Sequence, residues 1–114
     1  MPRFVILEHD FPILHWDLML EWGSTLRTWR LSRPPAVDLI VDAEASFDHR
    51  PIYLDYEGPI SGNRGCVRRW EWGTFSWVAE SRETAALTFD LVGQRLKGMG
   101  RLVERAGRWQ FSLT

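Results

Sequence analysis

Strict two-residue alternation governs the stretch His15-Trp16-Asp17-Leu18-Met19-Leu20-Glu21-Trp22. The even positions are all apolar, while the odd ones carry His15, Asp17, Met19 and Glu21. Side chains switch faces at every step along a strand, and they do not along a helix. The stretch therefore reads as a β-strand with one buried face. Residues 3–8 read as a strand before it. Gly23-Ser24-Thr25 reads as a turn into a strand at 26–31, so the two strands form a hairpin. Pro34-Pro35 excludes a central strand at that point. Residues 38–45 fit either a short strand or a helical turn. Residues 47–51 read as loop, 52–57 as a strand, and 58–65 as a loop rich in Gly and Pro.

The second half reads as a meander. Strands are expected at 66–72 and 74–79 with a turn at Gly73, then a charged turn at 80–83. A further strand is expected at 84–91, with a turn at 92–94. A final hairpin follows, 95–104 with 107–113. No long helical period occurs, and the spacing of roughly ten residues between strands points to a barrel or sandwich. The expected fold is all-β and mainly antiparallel, a compact β-barrel or a sandwich, with short helical turns at most. The 114 residues fit one domain.

Composition removes several function classes. A net charge of −1 excludes an overall basic coat for nucleic acid, so any such contact must be local. A single cysteine, Cys66, excludes an internal disulfide and a Cys-rich zinc module. No signal peptide is visible, and no apolar run is long enough to span a membrane. A cytoplasmic monomer is the expectation.

The chemistry concentrates around the first hairpin. His15 and Asp17 share a strand face, and the turn-like Asp10-Phe11-Pro12 can return His9 to their side. Two imidazoles and a carboxylate suit a divalent transition metal, with Mn, Zn or another ion open on ligand type alone. A polar strand face can equally be solvated and nothing more. Farther on, His49 and Tyr53 pair an imidazole with a phenol, two donors suited to an anion; a loop histidine beside a half-buried aromatic is the plainer alternative. Arg64, Arg68 and Arg69 interleave with Trp70 and Trp72, which suits a single strand or a duplex end. The same stretch also fits an exposed strand whose arginine stems cover apolar surface.

These residues together resemble a known family. Phe4-Val5-Ile6-Leu7-Glu8-His9, then His15-Trp16-Asp17-Leu18 with Leu20-Glu21, then Leu26 and Trp29, resemble the 3′-phosphoesterase domain of bacterial DNA ligase D. Asp48-His49-Arg50-Pro51-Ile52-Tyr53-Leu54-Asp55-Tyr56-Glu57-Gly58 resembles its central motif. Gly73-Thr74-Phe75, Leu96-Lys97-Gly98 and a closing strand with Trp109 fit its second half.

The resemblance implies an antiparallel β-barrel that removes a 3′-terminal ribonucleoside and then the 3′-phosphate from nucleic-acid ends, using manganese, in DNA end joining. It implies His9, His15 and Asp17 as metal ligands. It implies His49 and Tyr53 at the scissile phosphate, with His9, His49 and Tyr53 as the catalytic set, while Arg64 and Arg68 of this chain's own basic stretch are the further candidates for phosphate contact. Nucleic-acid 3′ ends and end-joining repair proteins are the implied partners. Two positions depart from the family pattern. Met19 stands where an arginine usually holds the phosphate, and Phe47 stands where an acidic residue is usual. The departures leave the reading of a binding module for DNA ends or a repair partner with the same fold and little or no catalysis, and the weak overall basicity leaves that of an enzyme for a small phosphorylated substrate.

Overall fold

The computed structural model describes residues 1–81 and 85–114. Its strands are β1 (Arg3–His9), β2 (His15–Trp22), β3 (Thr25–Leu31), β4 (Ile40–His49), β5 (Gly58–Pro59), β6 (Cys66–Ser81), β7 (Ala86–Gly93), β8 (Lys97–Arg105) and β9 (Arg108–Leu113). They pair in the order β1-β2-β3-β4-β9-β8-β7-β6, and β6 returns to pair with β1. The result is a closed eight-stranded antiparallel barrel, with the two-residue β5 appended to β6. Of the barrel and the sandwich that the spacing leaves open, the barrel implied by the resemblance is the fold.

Each strand near β2 sends one set of side chains inward. Phe4, Ile6, Leu18, Leu20, Trp29 and Leu31 meet Phe75, Phe89 and Phe111 in the barrel interior. The opposite faces of β1, β2 and β3 are not left to solvent. Val5, Leu7, Met19 and Leu26 form a second, smaller core with Leu54 and Val67, flanked by Tyr53, Tyr56, Ile60 and Trp72. The segment after β4 therefore lies on the outer wall of the barrel as a cover. Its apolar residues give it a buried side, because the wall beneath it is itself apolar.

Several local expectations change. Residues 47–49 are not loop: β4 runs on to His49, with a register shift against β3 between Leu26 and Thr28. Such a bulge fits one extra residue into one strand and re-aims side chains. Residues 52–57 are not a strand. Pro51–Leu54 is a 3₁₀ turn, favoured by proline at its start and by burial of Leu54 against the wall. Gly73 is not a turn but lies inside β6, which pairs with β1 through Thr74 and with β7 from Gly73 onward. The Val92 carbonyl occupies the place a Cβ would take at Gly73, so the glycine is there for close strand approach. Val92 and Gly93 belong to β7, and the following turn begins at Gln94. The ambiguous region 38–45 resolves as strand from Ile40. Of the charged turn expected at 80–83, Glu80 and Ser81 belong to β6, while residues 82–84 lie outside the described residues.

Candidate metal and phosphate site

His9 ends β1 and His15 begins β2, so antiparallel pairing sets them directly opposite each other. Their rings meet edge to face at 4.9 Å. The connecting turn is pinned from below: Asp10 Oδ1 accepts from the Cys66 backbone N–H at 2.8 Å. Asp17 follows two residues on, on the same face. One ligand atom from each of His9, His15 and Asp17 lies within 4.8 Å of the others.

His15 is 2% exposed and Asp17 5%, which removes the plain solvated strand face as an explanation. Buried polar groups of this kind must find partners. The backbone assigns the imidazole atoms. His9 Nε2–H donates to the Arg64 carbonyl at 2.8 Å, and His15 Nδ1–H donates to the Ile13 carbonyl at 2.8 Å. The opposite nitrogens, His9 Nδ1 and His15 Nε2, then face the Asp17 carboxylate at 3.9 and 3.2 Å. Fixing one ring nitrogen on a carbonyl is how proteins present the other to a metal. Two imidazole nitrogens and a carboxylate converge and leave coordination positions open, so the donor set fits a divalent transition metal. Burial by itself lowers the His15 pKa, but the Asp17 carboxylate and the Ile13 carbonyl, as acceptors for the protonated ring, and the Asp17 charge together raise it.

A cleft of about 340 Å³ opens beside this cluster, between the barrel wall and the covering segment. Asp17, His9, His49, Tyr53, Arg30, Arg50 and Arg64 line it, over a floor that includes Leu7, Met19 and Val67. The extra residue in β4 turns His49 toward this cleft. Thr28 Oγ1 lies 2.8 Å from His49 Nδ1, and the same hydroxyl donates to the Leu26 carbonyl. Thr28 therefore accepts from His49 Nδ1–H and leaves Nε2 as the free acceptor. Burial lowers the His49 pKa, so the ring is neutral at neutral pH. Tyr53 meets His49 edge-on at 5.6 Å, and Phe47 stacks on its other side at 4.6 Å.

The structure thus gathers His9, His15, Asp17, His49, Tyr53 and Arg64 in one place. Arg64 enters partly through its backbone, because its guanidinium is turned onto Ser61. Arg68 does not join them: it pairs with Glu8 away from the cleft. Met19 is 1% exposed and belongs to the second core. Thr28 and Arg30 went unread in the sequence. The hairpin held the signal for Arg30, which is paired directly across from Asp17. Assigning Thr25 to the turn rather than to β3 hides that register.

The sequence model of the family described as the DNA ligase D 3′-phosphoesterase domain matches residues 7–104. The multifunctional non-homologous end joining protein LigD of Pseudomonas aeruginosa is 32% identical over 112 residues, which cover 89% of this chain. The chain spans 13% of that relative's length.

Proposed function

The chain belongs to the DNA ligase D 3′-phosphoesterase family, and from that premise we propose a metal-dependent phosphoesterase that processes 3′ ends of nucleic acid in end repair. One observation carries the reading: the two imidazole lone pairs and the Asp17 carboxylate converge on a cleft that also holds His49 and Tyr53. His9 Nδ1, His15 Nε2 and Asp17 would hold the ion, with manganese the first candidate. A bound divalent ion would polarise a phosphoryl oxygen and lower the pKa of water.

The side chains do the rest. Tyr53 offers a phenolic donor to the phosphate. His49, held on Thr28, presents Nε2 as an acceptor that takes a proton from water or a hydroxyl and returns it to a leaving oxygen. Arg64 orients His9 through its carbonyl and leaves guanidinium donors at the rim. In this reading the protein acts as a cytoplasmic monomer, with end-joining proteins as partners. Among the described residues no helix is long and apolar enough to cross a membrane.

The test is a 5′-labelled primer–template with one ribonucleotide at the primer 3′ end. Manganese-dependent shortening by the wild type, lost in His15→Ala, is the expected result. Intact ends under every divalent metal, in protein shown to be folded, would overturn it. The second reading rests on Phe47, which is 71% exposed and lies over His49, and on uncharged Met19. It is a module that binds ends without cleaving them, and end binding unchanged in His15→Ala would favour it.

A further inference from the structure

We propose that Arg30 is the residue that grips the substrate phosphate, so that it sets the preference for phosphate-bearing ends. The inference rests on the phosphoesterase reading above and assigns the cation that the cleft needs. Arg30 lies on β3 opposite Asp17 on β2. Directly opposed residues of an antiparallel pair have Cβ atoms roughly 5 Å apart and project to the same face. The guanidinium stem therefore starts beside a metal-ligating carboxylate and on the cleft side of the wall. Arg30 is half-buried and lines the cleft.

The competing cations are otherwise engaged. Arg64 bonds Ser61 through Nε and Nη2. Arg68 pairs with Glu8, and Arg69 lies 3.8 Å from Asp55 and over the Trp72 ring. Arg50 is exposed at the rim, where a long, solvated side chain contributes little. Among the described residues Arg30 has neither hydrogen bond nor ion pair, although Asp17 and Glu44 flank it in register on both neighbouring strands. A half-buried guanidinium with its fork of donors uncommitted is suited to a bidentate phosphate contact. Its place opposite Asp17 would bring a phosphate drawn to an ion there within its reach.

The experiment compares binding of 3′-phosphorylated and 3′-hydroxyl oligonucleotides of one sequence, beside manganese-dependent turnover. It uses wild type, Arg30→Ala, Arg30→Lys and, as a distant control, Arg101→Ala on β8. Thermal unfolding confirms that each variant is folded. The expected result is a preference for the 3′-phosphate that falls roughly 10–100-fold in Arg30→Ala. Arg30→Lys should recover part of it, because it keeps the charge and loses the fork. An undiminished preference in Arg30→Ala overturns the proposal alone. A wild type with no preference for the phosphate overturns the proposal, and it overturns the reading beneath it only where manganese-dependent turnover is absent as well. A preference that depends on Arg30 in a protein without turnover upholds the proposal and removes the enzymatic reading.

Discussion

Two histidines at this site are set in opposite directions by their surroundings. The His15 pKa is raised and that of His49 is lowered from the ordinary value of 6.5. A histidine that binds its proton more tightly when folded stabilises the fold below its unfolded pKa and loses that contribution as pH rises through the raised value. His15 follows this rule. His49 does the reverse: its contribution is present above 6.5 and lost as pH falls through the lowered value. Chelator-treated protein should therefore melt highest near pH 6.5, with a decline on the alkaline side that disappears in His15→Gln. Thermal scans from about pH 5 to 8 would check this, and a curve that climbs steadily to the alkaline end would count against the His15 assignment. The clustering of His9, His15 and Asp17 was legible in the sequence because strand alternation alone sets His15 beside Asp17, and the turn before them returns His9. The tautomers were not, because they depend on the Arg64 and Ile13 carbonyls. Nor was Thr28, whose bond to His49 exists only once β3 and β4 pair.

At the scale of elements, β6 joins the two halves of the barrel by pairing with β1 at its start and β7 at its end. Register shifts between Ile6 and Leu7 and between Trp77 and Ala79 let one strand serve both neighbours. Sequence alternation recovers the strands that pack on a uniform core. It breaks at Gly73, which reads as a turn only because the Val92 carbonyl it makes room for is distant in sequence. The 52–57 stretch misleads in another way: its apolar residues cover an outer wall that no local pattern reveals. Glu71 is the most consequential element-scale residue. It is 0% exposed, and its two oxygens accept from the backbone N–H groups of Trp72, Gln94, Arg95 and Leu96. The β7–β8 turn is thus built on a buried carboxylate. Glu71→Ala should destabilise by roughly 3–5 kcal/mol, because several buried donors lose their acceptor at once. Gly93→Ala should cost about 1–3 kcal/mol, since its Cβ would lie 2.6 Å from the Glu71 carboxyl carbon. Urea denaturation of both variants measures this, and a Glu71→Ala midpoint indistinguishable from wild type would contradict it.

For the molecule as a whole, charge is nearly balanced, at a net −1. If ends are the substrate, as proposed, their recognition rests at most on the few cations at the cleft: Arg30 first, then the solvated Arg50 and the Ser61-bound Arg64. Three neutralised phosphates on a single strand give a slope of about −2 in log affinity against log salt. Titrating a 3′-phosphorylated oligonucleotide at several salt concentrations should return that shallow slope, whereas a value several-fold steeper would mean a broad basic track along the strand. The closing seam has a consequence in time. β1 carries His9, and it meets β2 almost at once, yet its other partner is β6. In chain order the whole of β2 to β5 separates β1 from this second neighbour. Cys66, Val67 and the Arg64 carbonyl that steadies His9 arrive with that neighbour. A chain made only through β5 therefore carries His9, His15 and Asp17 but not the carbonyl that steadies His9, and offers a half-site.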